Sequence, residues 1–346
     1  VSGAWPTAWG APAGSAVIRR CPEDFAVTEE PGFALSGDGE HVFLYLEKRC
    51  LNTAELAARI AELAGVPPRD VGYSGMKDRN AVTRQWFSVG LAGRQAPDWQ
   101  ALQSAGDVRV LETGRHLRKL RRGTHRGNRF RLRLCELRGS RAALEARLAL
   151  LRERGAPNYF GEQRFGRGGS TLAQARRWAA RGGRVSRARR GLFLSALRAW
   201  LFNQQLGARV QAGTWERVLP GDVCMLAGSR SFFTCDEPDA QIQARLQQGD
   251  LHPGLPLWGR GGEVADAAAE SADSAAVRRF LEAQGVDLAW RPTRLLPDDF
   301  CWEFCDDDGL QLDFALGAGS YATALLAEFV HYTDGSVKGG TGCEQV

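Results

Sequence analysis

No stretch of about 18 apolar residues occurs in the 346-residue chain, which excludes an ordinary transmembrane helix. The amino terminus lacks the basic-then-apolar pattern of a secretory leader, so the expectation is a soluble cytoplasmic protein with no membrane partner. With no coiled-coil pattern or long apolar stripe, a monomer without a protein partner is expected. Eight cysteines, at positions 21, 50, 135, 224, 235, 301, 305 and 343, form no C-x-x-C pair and have no nearby histidines. Zinc and disulfide readings are therefore weak. Cys301 and Cys305 would share one face of a strand, and the reading for the thiols is buried and free. A Walker-type phosphate loop is missing too. Residues 317–322, GAGSYA, mimic a dinucleotide fingerprint, but only 24 residues follow Ala322, too few for the rest of such a domain. No cofactor and no metal are expected.

Acidic residues are absent from Gln163 to Trp215, a stretch in which arginine recurs eleven times. Residues 1–216 carry 36 Lys and Arg against 19 acids, and residues 217–346 carry 9 against 21. The two parts are thus expected to face different surroundings, the first a polyanion. A second cluster, RHLRKLRRGTHRGNRFRLR from Arg115 to Arg133, has nine bases and no acid. Such a run is most often a solvated face. Here arginine outnumbers lysine and Phe130 is embedded among the bases, which suits phosphate contacts and stacking on RNA. Tyr159, Phe160 and Phe165 interleave in the same way with Arg164 and Arg167. Structured RNA is the most economical partner.

With 44% apolar residues the chain can build a core for two or three domains. Asn52, with Glu55 three residues on, is placed to cap a helix whose Leu56, Ile60 and Leu63 share a face, and Gly65 and Pro67 stop it. TRQWFSVGL reads as a strand. In NRFRLRL, Phe130, Leu132 and Leu134 alternate with Arg129, Arg131 and Arg133, the pattern of a strand with one basic side. A helix through residues 193–210 groups Leu194, Leu197 and Leu201, leaving Arg198 and Asn203 off that face. Later segments read as a helix near 275–283, a strand GLQLDFAL and a helix YATALLAEFV. Strands and helices without a regular βαβ period favour an α+β class.

The stretch GYSGMKDRNAVTRQW, Gly72 to Trp86, places Asp78 among Lys77, Arg79 and Arg84. Flanking cations favour the ionised form of a carboxylate, which suits a nucleophile or charge stabiliser better than a general acid. Taken alone, a turn aspartate that caps its own backbone is the simpler reading.

Gly75, Lys77, Asp78, Ala81, Thr83 and Gln85 reproduce a G-x-K-D-x-x-A-x-T-x-Q signature, and RRCPEDFAVTE, GNRF, PNYFGEQRFG and GSYAT accompany it in order. Together these resemble the TruD family of tRNA pseudouridine synthases over nearly the whole chain. The resemblance implies an α+β catalytic domain with a mixed, mostly antiparallel sheet, interrupted by an inserted α/β domain. Expected boundaries are 1–155 and 298–346 for the catalytic domain and 156–297 for the insertion, with GSYAT brought back beside Asp78. It further implies isomerisation of a uridine in tRNA, at position 13, to pseudouridine, with Asp78 as the essential carboxylate.

By the same resemblance Arg19, where the family more often has Lys, is the expected partner of Asp78, and Lys77 or Arg79 could instead hold phosphates. Asn128 is expected to hydrogen-bond near Asp78 or the base and Phe130 to stack on it, with Glu23 and Gln85 in support. Further RNA-binding candidates are Arg118, Arg121, Arg122, Arg164 and Arg167. From pattern alone, Phe130 is a core residue. A noncatalytic tRNA-binding module with the same cleft is the competing reading, against which stands the complete signature around Asp78.

Overall fold

Apolar residues at every second position, Phe130, Leu132 and Leu134 in one segment and Leu310, Leu312, Phe314 and Leu316 in another, place one face of each in the interior. The computed structural model describes residues 5–91, 93–261 and 271–337. In chain order its regular elements are β1 (Gly14–Ile18), β2 (Phe25–Glu30), β3 (His41–Arg49), α1 (Thr53–Leu63), β4 (Val71–Tyr73), β5 (Val82–Gly90), β6 (Val108–His116), β7 (Gly127–Gly139) and α2 (Arg141–Arg154). There follow β8 (Ala156–Pro157), α3 (Ser170–Arg181), α4 (Arg187–Gln211), β9 (Asp222–Leu226), β10 (Phe232–Cys235), α5 (Ala240–Gln248), β11 (Leu251–Leu257) and α6 (Ala272–Ala283). The last are β12 (Ala289–Pro292), β13 (Arg294–Leu295), β14 (Asp298–Cys305), β15 (Gly309–Gly317), α7 (Ala322–Leu326) and β16 (Val330–Asp334). They divide into two compact units, each assembled from three stretches of chain.

The first unit, Ala13–Glu145, Pro297–Gly319 and Val330–Val346, holds a ten-stranded sheet ordered β14-β15-β7-β2-β5-β3-β6. β1 joins β7 and β16, and β4 joins β5. Only β2 with β5 and β1 with β16 run parallel, so the sheet is mixed and mostly antiparallel. α1 lays Leu56 and Ile60 on Leu44, Leu46, Phe87 and Val89, all fully buried. Each such side chain contributes ~1.5–3 kcal/mol of apolar burial. Asn52 precedes α1 with extended backbone, but its side chain makes no capping bond, contrary to expectation. Glu55 instead pairs with Arg59 at 3.0 Å, one turn on.

In β7 the alternation is realised: Phe130, Leu132 and Leu134 are buried. The basic side departs from expectation. Arg129 pairs with Asp299 at 2.5 Å and with Asp313 at 3.0 Å, and Arg131 pairs with Asp313 at 3.1 Å. Arg133 pairs with Asp307. The acid-rich later part of the chain therefore neutralises bases of the earlier part, because β15 adds to the sheet beside β7. The thiol reading is corrected too. Cys135, Cys224 and Cys235 are buried, but Cys21 and Cys301 are exposed and Cys305 is half-buried, while Cys343 lies outside the described residues.

The second unit, Val1–Pro12, Ala146–Leu296 and Ser320–Phe329, contains the four-stranded antiparallel sheet β10-β9-β11-β12 and the pair β13-β8. Its helices α3, α4 and α6 share a core of Leu172, Trp178, Phe193, Leu197, Trp200, Val277 and Leu281. Asn203, expected off the apolar face of α4, is fully buried. Its amide donates to the Phe160 carbonyl at 3.0 Å and accepts from the Phe160 amide at 2.9 Å, so a polar side chain replaces a strand partner.

This unit takes in 146–155, 1–12 and 320–329 beside the segment expected as the insertion. The buried Glu328 carboxylate accepts from the amides of Ala8 and Trp9, at 3.0 and 3.3 Å, and Trp9 Nε1 donates to the Gly155 carbonyl at 2.9 Å. Burial pushes the Glu328 carboxyl up to about 7. The expected final helix is short, since the chain leaves α7 after Leu326 and enters β16 at Val330.

Candidate active site

Asp78 lies in the loop from Ser74 to Ala81, between β4 and β5. Three signature residues close that loop on itself. Lys77 N donates to Thr53 Oγ1 at 3.0 Å, Thr53 Oγ1 donates to Gln85 Oε1 at 3.0 Å, and Gln85 Nε2 donates to the Gly75 carbonyl at 3.2 Å. Thr53 and Gln85 are fully buried, so the polar chain is satisfied inside the protein and stiffens the turn.

The Lys77 ammonium is not turned outward to a phosphate. Its Nζ meets Glu29 at 2.7 Å, with both side chains almost wholly buried. Glu29 also accepts from Ser74 Oγ at 2.6 Å and from the Trp86 amide at 3.3 Å. A buried pair of this kind adds little net stability, yet removing one partner typically costs ~3–5 kcal/mol. It fixes the residue before Asp78.

Two further cations address Asp78. Arg19 Nη2 lies 3.2 Å from Oδ2, with the arginine 6% and the aspartate 33% exposed. Lys48 Nζ donates to the main-chain carbonyl of Asp78 at 2.9 Å. Lys48 is fully buried, and burial pushes its ammonium down to about 8 against the pull of Asp78. The Arg19 guanidinium also lies over the Phe25 ring, 3.8 Å from its centroid.

Phe130 and Asn128 come to the same sheet face through register. Phe130 stands opposite Val27, and Asn128 opposite Glu29. The Phe130 ring stacks on Phe314 at 5.4 Å and meets Phe25 edge-on at 6.3 Å, leaving it 7% exposed. A series of contacts thus runs Phe130, Phe25, Arg19, Asp78. Asn128 Oδ1 is buried and has no hydrogen-bond partner among the described residues.

Other candidates lie elsewhere. Glu23 pairs with Arg49 at 2.6 Å on an exposed surface, which holds the Glu23 carboxyl below its ordinary range. Arg79, Arg118, Arg121 and Arg167 are exposed and make no ion pair among the described residues. Arg122 lies over the Tyr73 ring at 3.9 Å. Arg164 is engaged in the second unit by Tyr321 Oη at 3.1 Å and Ser195 Oγ at 2.9 Å. The GSYAT segment is correspondingly held from Ser320 onward in the unit that lacks Asp78.

Sequence reading missed Lys48, Glu29 and Thr53. Two of them left a signal: Lys48 continues the buried alternation of Leu44 and Leu46, and Glu29 that of Phe25 and Val27. A charge on the apolar side of a strand requires a partner.

Fold and site together define a mixed-sheet α+β protein that holds one partly exposed carboxylate, Asp78, against Arg19. The sequence profile of the family described as tRNA pseudouridine synthase D (TruD) matches residues 7–173 and 170–329. A tRNA pseudouridine synthase D from Nitrosococcus oceani is 47% identical over 328 residues, 92% of this chain and 91% of the relative. That of Methylococcus capsulatus is 47% identical over 322 residues, 91% of each chain. The crystal structure of the Methanosarcina mazei protein assigned as tRNA pseudouridine synthase D superposes with a TM-score of 0.65 at 19% identity, covering 96% of this chain and 97% of that one. The chain belongs to the TruD family of tRNA pseudouridine synthases.

Proposed function

We propose that this protein isomerises uridine in tRNA, at position 13, to pseudouridine, with Asp78 as the essential carboxylate. The observation that carries the reading is the treatment of Asp78: its Oδ2 is held by Arg19 at 3.2 Å and its main chain by Lys48 at 2.9 Å, while the side chain stays one-third exposed. An anion so restrained and still reachable suits nucleophilic or basic work on a bound nucleoside.

The reaction breaks the bond between uracil N1 and the sugar, turns the base, and joins its C5 to the same sugar carbon. The C5 hydrogen leaves to water and N1 ends protonated, so neither oxidant nor energy donor is consumed. Before this the base must leave its stack, at roughly a few kcal/mol. The unpartnered Asn128 Oδ1 supports its role as an acceptor for the base N3–H. Phe130, two residues along β7 from Asn128 and on the same face, would stack on the base from there.

The test uses unmodified tRNA carrying tritium at uracil C5. Wild type is expected to release tritium to water, and Asp78→Asn to bind tRNA within a few-fold of wild type while releasing none. Equal release by both would remove Asp78 from the reaction; binding without release by either would favour a noncatalytic module.

A further inference from the structure

Arg19 does not serve Asp78 alone. Its Nη1 lies 3.0 Å from Asp334 Oδ2, while Nη2 holds Asp78 Oδ2 at 3.2 Å. One guanidinium is thus shared by two carboxylates, and its flat underside rests on Phe25. Three contacts fix a planar group in position and in rotation.

Backbone geometry places both ends of this clamp. β1 and β16 run side by side, with Ile18 opposite Asp334, so the residue after β1 and the last residue of β16 emerge together. Arg19 has a φ of +55°, a left-handed conformation that costs on the order of 1 kcal/mol or more for a non-glycine residue. That conformation falls at the residue directly after β1, where the strand backbone ends.

Asp334 reaches the Asp78 loop by a second route. Its Oδ1 accepts from Ser336 N at 3.0 Å and from Ser336 Oγ at 2.6 Å. Ser336 Oγ in turn accepts from Asn80 Nδ2 at 3.0 Å. The circuit Asp78, Arg19, Asp334, Ser336, Asn80 therefore closes on the same loop, two residues beyond its start. Among the described residues no hydrogen bond reaches Asp78 Oδ1, so the circuit spends Oδ2 and leaves the other oxygen open.

We propose that Asp334 is a positioning residue for this reaction. By drawing Arg19 Nη1 to itself it keeps Arg19 from forking both oxygens of Asp78, and so presents Oδ1, unpaired, to the nucleoside. The inference rests on Asp78 being the reactive carboxylate. A guanidinium left with one carboxylate takes it through two parallel bonds when geometry permits. Without Asp334, Arg19 is therefore free to cover Oδ1.

The test compares single-turnover tritium release, with enzyme in excess, for wild type, Asp334→Asn, Arg19→Gln, the double variant and Asp78→Asn. Asp334→Asn is expected to slow release on the order of 10- to 100-fold, the scale of a misplaced reacting group, with tRNA Kd within about twofold of wild type. In the Arg19→Gln background the same change is expected to cost nothing further, because Asp334 acts through Arg19.

A rate for Asp334→Asn within about twofold of wild type, or an equal loss in both backgrounds, would overturn the inference. Should Asp334→Asn not fold, Ser336→Ala takes its place: it keeps the charge, removes the Oγ link, and is expected to slow release with binding unchanged. A wild-type rate for Ser336→Ala would then count against the circuit. Full activity in Asp78→Asn would instead sink the proposed role of Asp78, whereas an inactive Asp78→Asn beside a wild-type Asp334→Asn removes Asp334 alone.

Discussion

Lys48 gives its ammonium to the main-chain carbonyl of Asp78 and not to the carboxylate, although the lysine side chain is fully buried. It acts as a strut beneath the loop. Burial lowers its proton affinity to about 8, so between about 8 and the unfolded value near 10.5 the unfolded chain holds more protons than the folded one. Stability contributed by this group is expected to rise with pH across that window. In Lys48→Met the rise should vanish: the difference in unfolding free energy between wild type and variant, from urea titrations at pH 7.5 and 10, should shift by on the order of 2–3 kcal/mol. An unchanged difference would mean that Lys48 titrates normally.

Phe130 lies between Phe314 and Phe25 and is 7% exposed. Phe130→Ala is expected to destabilise the protein by ~3–5 kcal/mol, the usual cost of emptying an aromatic site. The urea midpoint reads this directly. Stability equal to wild type would place the ring outside the core and leave only its role toward the base.

Salt dependence separates paired from unpaired arginines. For about five phosphates neutralised, log K for tRNA should fall with log salt at a slope of roughly −3 to −4. Replacing Arg118 and Arg121, which have no acidic partner among the described residues, should flatten the slope by about 1–2. Replacing Arg131 and Arg133, each held by an aspartate, should leave it within about half a unit of wild type. The reverse order would place the RNA on the Arg131 and Arg133 side of β7.

The sequence carried much of this design where the information was local. Alternation in β7 assigned Phe130, Leu132 and Leu134 to the interior because a strand's faces follow from spacing alone. The signature around Asp78 was legible only as a resemblance, since Lys77 and Gln85 are joined through Thr53, 24 residues from Lys77 and outside the motif. What stayed hidden is long-range pairing. Arg131 and Asp313 are 182 residues apart, and no pattern near either announces the other. The last three arginines of a basic run, Arg129, Arg131 and Arg133, were accordingly read as open to a polyanion when the chain's own aspartates hold them. Asp334 was invisible in the same way, an ordinary aspartate at the end of a strand until β16 is laid beside β1.

That pairing also sets a clock. Arg19 and Asp334 are separated by 315 residues, so at ~5–20 residues per second a ribosome needs roughly 15–60 s after making the first to make the second. For most of that interval the nascent chain contains Asp78, 59 residues after Arg19, but lacks the strand that steadies Arg19. A stalled or truncated product therefore carries Asp78 and Arg19 without the second carboxylate on that guanidinium, a contact that arrives only with β16.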